Sequence, residues 1–132
     1  MKKIIWVIDD DFIYQTIIKK LIQKSEVYSE SFPFPNGNEA INALKKILEG
    51  DNNNNFPDII LLDINMPILD GWEFMDEFQS LKSKINKKIN IYIVSSSIAV
   101  EDKKKAESYG EIMRYMSKPV SVDVLVELAS KE

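Results

Sequence analysis

The chain is 132 residues long and carries 17 basic and 21 acidic side chains, for a formal charge of −4. That is about one domain, long enough to bury a core without covalent staples, and with 45% hydrophobic and 29% charged residues it has the balance of a globular chain rather than a disordered one. Cysteine and histidine are both absent, which removes disulfides, thiol nucleophiles, Ser-His-Asp relays and zinc sites of the His/Cys kind, so any chemistry must run on carboxylates, hydroxyls, lysine and an oxygen-seeking metal.

Ile4-Ile5-Trp6-Val7-Ile8 reads as a strand buried on both faces. From Phe12 the period becomes helical, with Ile13, Ile17, Ile18, Leu21 and Ile22 on the expected inner face and Gln15, Lys19, Lys20 and Gln23 opposite. Tyr28 to Phe34 alternates polar and apolar, as an edge strand does. Ala40, Ile41, Leu44, Ile47 and Leu48 form a second helical stripe, and Gly50 stands at its C-cap position. Asp51-Asn52-Asn53-Asn54-Asn55 is low in complexity and reads as a solvated loop.

Ile59-Ile60-Leu61-Leu62 is a third strand, and Phe74, Met75, Phe78 and Leu81 define a third helix in which Trp72, Phe74 and Phe78 read as core. Lys82, Lys84, Lys87 and Lys88 read as a solvated loop face. Ile91 to Val94 is a fourth strand. The segment from Val100 to Tyr109 predicts a helix with a poor apolar stripe and a Lys103-Lys104-Lys105 run, closed by Gly110. Ile112 to Met116 is a fifth strand, and Val122, Leu125, Leu128 and Ala129 mark the last helix.

Five β/α pairs in alternation predict an α/β fold, a five-stranded parallel sheet covered on both faces, in one domain over residues 1–132. The four glycines, Gly37, Gly50, Gly71 and Gly110, are too scattered for a Gly-rich phosphate loop. The acidic balance gives no support to nucleic-acid binding. No apolar run approaches a membrane span, and Asp9-Asp10-Asp11 interrupts any signal peptide, so we expect a cytoplasmic protein.

Ligands of such sheets bind beyond the carboxyl ends of the strands. Asp9, Asp10 and Asp11 follow strand one, Asp63 follows strand three, Ser95-Ser96-Ser97 follows strand four, and Lys118-Pro119 follows strand five. Acids in a strand-to-helix turn serve as N-caps as readily as they form a site, and Asp11 suits the cap best. Asp9 and Asp10 end the strand itself, where adjacent carboxylates repel unless a cation lies between them. Asp63, closing a run of four apolar residues, is harder to explain as structure. Ser95 and Lys118-Pro119 taken singly fit turn chemistry; their joint placement with the acids points to one site. Three carboxylates in a small cleft need compensating charge, which Lys118 and a hard divalent ion such as Mg²⁺ supply. An aspartate beside Mg²⁺, flanked by a lysine and a hydroxyl, is equipped to accept a phosphoryl group.

These residues, together with Leu61-Leu62-Asp63-Ile64-Asn65-Met66-Pro67-Ile68-Leu69-Asp70-Gly71, resemble the receiver domain of bacterial two-component response regulators in its single-domain, chemotaxis-regulator-like form, over essentially the whole chain. The resemblance implies the flavodoxin-like strand order 2-1-3-4-5. It implies Asp63 as phosphoacceptor, Mg²⁺ held by Asp9, Asp10, Asp63 and the Asn65 carbonyl, and Ser95 and Lys118 as phosphoryl-binding residues. It also implies Tyr115 as the aromatic that changes rotamer, and a cis Lys118-Pro119 bond that turns the Lys118 amine to the site.

A haloacid-dehalogenase-like phosphatase also uses an aspartate after an apolar strand, but needs a second Asp two residues on as general acid, where this chain has Asn65. A receiver-like scaffold that is never phosphorylated predicts losses among the acids, and none is seen. The expectation is therefore a signalling domain that catalyses only its own phosphorylation and dephosphorylation. With no histidine, it needs a separate phosphohistidine donor, a sensor histidine kinase or phosphotransfer protein. The last helix runs close to Glu132, so we expect no attached output domain and a non-covalent downstream target. The expected partner face, and a possible dimer face, comprises the Val100–Tyr109 helix, the fifth strand and the last helix. Ser95 would signal to it through Tyr115 rotating inward from solvent.

Overall fold

The computed structural model describes residues 2–50 and 55–131. Five strands, β1 (Lys3–Ile8), β2 (Tyr28–Phe34), β3 (Ile59–Leu62), β4 (Asn90–Ser95) and β5 (Ile112–Ser117), alternate with five helices. These are α1 (Phe12–Ser25), α2 (Gly37–Glu49), α3 (Gly71–Lys82), α4 (Val100–Glu107) and α5 (Val122–Ser130). All pairings are parallel and the order is β2-β1-β3-β4-β5, the flavodoxin-like order expected. Most of the Asn-rich stretch, Asp51 to Asn54, lies outside the described residues.

The period-2 geometry of the strands splits their side chains between two cores. Trp6, Ile8, Ile60, Leu62, Ile91 and Ile93 pack with Ala40, Ile41 and Leu44 of α2, Phe74, Met75 and Phe78 of α3, and Ala106 of α4. Ile5, Val7, Ile59, Leu61, Tyr92 and Val94 face the other way, onto Ile18 and Ile22 of α1 and Leu125 and Leu128 of α5. β3 and β4 are buried along their whole length, which is why they read as unbroken apolar runs.

Helix α1 differs from its sequence reading. Ile13 and Ile17 are 71% and 48% exposed, and the buried stripe is Tyr14, Ile18, Ile22 and Ser25. The Asp11 side chain caps the helix by accepting from the Tyr14 N–H, and packing on the sheet beside α5 turns the 14-18-22 row inward. Gly50 is the C-cap of α2 in an extended conformation, φ −92°; the left-handed cap is Glu26 after α1, at φ 61°. α4 stops at Glu107 and Gly110 does not close it. Only Ala106 of α4 is buried, as its poor stripe predicts, and Tyr109 anchors the following turn by stacking on Trp72 and donating to Asp76 at 2.8 Å. Lys82, the last residue of α3, pairs with Glu111 at 2.6 Å, and Lys87 pairs with Asp58 at 3.2 Å, rather than standing simply in solvent.

Ile68, in the turn between β3 and α3, has φ 70°, and the Leu69 N–H closes a three-residue turn onto the Pro67 carbonyl at 2.8 Å. A β-branched residue is strained in this conformation. Ile68 is 76% exposed, so little packing is lost on its replacement. Ile68→Gly is expected to stabilise the protein by about 1 kcal/mol, the left-handed penalty less glycine's extra unfolded-state entropy. A urea midpoint that stays level or falls would contradict the strain.

Candidate functional site

The parallel register brings the ends of β1 and β3 together. Ile8 lies opposite Leu62, so Asp9 and Asp63 emerge side by side, and the Asp63 N–H continues the ladder to the Ile8 carbonyl at 2.9 Å. The two neighbours of β1 leave it in opposite directions, which opens a crevice at this edge. Asp9 and Asp63 are buried at 2% and 7% exposure and Asp10 is exposed, and carboxylate oxygens of the three lie within 4.8 Å of one another. Of the three neighbouring acids, Asp11 is the one that caps α1, as its position predicts.

Lys118 directly follows β5, and its peptide bond with Pro119 is cis. Its ammonium lies 2.6 Å from Asp9 Oδ2 and 3.7 Å from Asp63 Oδ2, so Asp9 is its main partner. Burial alone would lower the Lys118 pKa; its hydrogen bond to Asp9 and the charges of Asp63, Asp9 and Asp11 outweigh this and raise it. Asp63 keeps one oxygen on the Ile64 N–H at 2.8 Å. Its carboxyl is pushed up from 3.8 to about 6, first by burial and then by Asp9, with Asp10 adding a little and Lys118 and the Ile64 N–H pulling the other way.

The chain after Asp63 is held close by Gly71. A Cβ there would stand 2.5 Å from the Asp63 carbonyl oxygen and 2.8 Å from Ile64 Cα, so only glycine lets α3 start so near the end of β3. Asp70 and Glu73 complete a reciprocal capping box at that helix start. Asn65 is exposed two residues beyond Asp63.

Ser95 is fully buried at the end of β4, where its carbonyl accepts from the Lys118 N–H at 3.1 Å and its hydroxyl oxygen accepts from the Ser97 N–H at 3.1 Å. Tyr115 is not in the acidic cluster. It lies half-buried on β5 and its hydroxyl donates to the Ser97 carbonyl at 2.9 Å, so it already faces inward rather than starting in solvent. The hydroxyl gains a buried-edge acceptor there that solvent-facing rotamers forgo.

Two contributors escaped the sequence reading. Gln15, assigned to the outer face of α1, turns its amide onto the carbonyls of Val7, Asp9 and Phe34 at 3.0, 3.0 and 3.2 Å, tying the ends of β1 and β2 to the helix. Ser97 links Ser95 and Tyr115 and donates to Asp102 of α4 at 2.7 Å. A lone Gln in an amphipathic helix and the third Ser of a triplet carry no local signal for either role.

The cluster has the charge, the oxygen donors and the partly open side that a hard divalent cation needs. A family profile for the response regulator receiver domain matches residues 5–130. The chain belongs to that family. Receiver domains are signalling domains that accept a phosphoryl group in two-component systems, bind Mg²⁺ in an acidic pocket and interact with histidine kinases and downstream targets. This one is similar in structure to a two-component response regulator from Cytophaga hutchinsonii, with a TM-score of 0.85 and 32% identity over 97% of this chain and 95% of that one. A response regulator receiver protein from Dyadobacter fermentans aligns with a TM-score of 0.79 and 26% identity over 95% and 93%. Among curated relatives, it is 28% identical over 128 residues to the sensor histidine kinase CheAY of Helicobacter pylori, covering 97% of this chain and 15% of that protein. It is 30% identical over 95 residues to a protein-glutamate methylesterase/protein-glutamine glutaminase of Treponema pallidum, covering 72% of this chain and 20% of that protein. The receiver chain thus spans a fifth or less of these two curated relatives. No helix among its described residues is long and apolar enough to cross a membrane.

Proposed function

We propose that the chain, read as one receiver domain over residues 1–132, is a cytoplasmic response regulator whose phosphoacceptor is Asp63. The observation that carries this reading is the buried Asp63 carboxylate within one oxygen cluster with Asp9 and Asp10, with the Lys118 ammonium 3.7 Å away. An Asp63 oxygen forms a bond to phosphorus as the P–N bond of a donor phosphohistidine breaks, and the imidazole leaves with the electron pair. Asp9, Asp10, Asp63 and the Asn65 carbonyl would hold Mg²⁺, which would supply positive charge to the phosphoryl oxygens. Lys118 and Ser95 bind those oxygens as well. The chain catalyses only its own phosphorylation and dephosphorylation.

The donor is a histidine kinase or phosphotransfer protein. Phe12, Ile13 and Ile17 are 82%, 71% and 48% exposed beside Asp10, an apolar surface where a donor can seat its phosphohistidine near Asp63. With acetyl phosphate and Mg²⁺, the intact mass should rise by one phosphoryl group, which hydroxylamine removes and a chelator prevents from forming. No mass gain, or a gain that survives hydroxylamine, counts against the reading.

The downstream target, or a second receiver in a dimer, binds α4, β5 and α5. Val100, Met113 and Val126 are exposed there, and the Ser95–Ser97–Tyr115 hydrogen-bond chain connects the site to that face. Such coupling is about 1–3 kcal/mol. Adding beryllofluoride should shift the amides of Ser97, Tyr115 and α4; shifts confined to the acidic pocket would mean this connection does not operate.

A further inference from the structure

We propose that Tyr14 is the positioning residue for Lys118: its ring face holds the ammonium beside Asp63 when a cation in the acidic pocket takes Asp9. This rests on the site reading above. Tyr14 sits in the first turn of α1, where its N–H is fixed on the Asp11 cap, and the Lys118 Nζ lies 4.5 Å from its ring centroid. The side chain is 9% exposed, yet its hydroxyl is buried without a hydrogen-bond partner. An orphaned buried hydroxyl is unfavourable, so the residue is not there for its O–H. What it presents to the site is the aromatic face.

The charges explain why such a hold is needed. Lys118 leans on Asp9, at 2.6 Å, rather than on Asp63, at 3.7 Å. A divalent cation held by Asp9 and Asp10 would compete for the Asp9 oxygens and repel the ammonium. Lysine is a strongly hydrated charge on a flexible stem, and with Asp9 taken it would drift to solvent. The ring attracts it independently of Asp9, and the contact is strong because it is largely desolvated.

The competing explanation is that the ring only fills the core beside Ile18 and Val94. Tyr14→Leu keeps apolar bulk and removes the π face; Tyr14→Phe keeps the face and removes the orphaned hydroxyl. At saturating Mg²⁺ the rate of phosphorylation by acetyl phosphate should fall about three- to ten-fold in Tyr14→Leu and be restored in Tyr14→Phe, the ratio such a cation–π contact supports. The Lys118 Hε protons should be ring-current shifted upfield in the unsubstituted protein, both before and after Mg²⁺ is added, and lose the shift in Tyr14→Leu. Equal rates for the Leu and Phe variants, or Lys118 Hε protons that return to their unshifted position on adding Mg²⁺ to the unsubstituted protein, would overturn the proposal even if Tyr14→Leu folds poorly. Phosphoryl incorporation that persists in Asp63→Asn would instead overturn the site reading beneath it.

Discussion

Asp63→Asn is expected to lose phosphoryl incorporation entirely and, in chelator, to unfold at higher urea than the parent at neutral pH. The first effect arises because the amide cannot serve as the attacking oxygen anion. The second comes from where the carboxylate sits. The unfolded chain releases the Asp63 proton near 3.8, but in the folded protein burial first, and then Asp9, hold it to about 6. A carboxyl with a raised folded pKa contributes stability that is fully present below about 3.8 and is lost as pH rises through about 6. The difference corresponds to about 3 kcal/mol against the ionised parent at neutral pH. Asparagine mimics the protonated carboxyl at every pH. The gap between the two proteins should therefore be small near pH 4 and widen towards pH 7. Saturating Mg²⁺ should narrow it again, since the ion favours the ionised parent. A gap that is constant with pH in chelator would show that Asp63 is not the strained carboxylate.

Lys118→Met has the opposite sign in the same pocket. Asp9 is 2% exposed and its closest cation is Lys118, at 2.6 Å. Removing Lys118 leaves the buried Asp9 charge with the Asp11 N–H, at 2.9 Å, and no cation, and breaking a buried ion pair in this way costs about 3–5 kcal/mol. The loss should show in urea unfolding at neutral pH in chelator. It should shrink as pH falls through about 6, where the folded Asp63 takes up a proton and the pocket loses one negative charge. It should also shrink with Mg²⁺, which replaces the missing charge, and Asp10→Ala in the Lys118→Met background should remove that rescue. Equal loss with and without Mg²⁺ would mean that Lys118 acts by packing and not by charge. The two variants thus divide the pocket into one group whose charge is a burden without metal and one whose charge relieves it.

How much of the fold and the site is legible in the sequence differs between elements. β1, β3 and β4 are legible because each is a short apolar run closed by a polar residue at the sheet edge: Ile8 by Asp9, Leu62 by Asp63, Val94 by Ser95. β3 and β4 are buried throughout, so period and composition alone identify them. Alternating β and α elements then require a parallel sheet, and a parallel sheet gathers at one edge the residues that come directly after its strands. Asp9, Asp10, Asp63, Ser95 and Lys118 are therefore recognisable as one chemical set from their positions in the chain.

Chain order leaves open which atoms meet. Ile13 and Ile17 are as good a core stripe for α1 as Tyr14, Ile18 and Ile22 on periodicity, since both rows are apolar; the Asp11 cap and packing beside α5 choose the second. That rotation also puts the Tyr14 ring against Lys118, 104 residues away by number, and turns Gln15 onto the strand ends. Lys118 prefers Asp9 to Asp63 by a difference of about an ångström in approach, and Tyr115 finds Ser97 across the gap between β5 and the β4–α4 turn. The sequence by itself determined the elements and the chemical kinds at the site, because these depend on local periodicity and on what ends each strand. The tertiary structure alone decided the helix rotation, the partner of the lysine and the side on which Tyr115 rests, because these depend on distances between segments far apart in the chain.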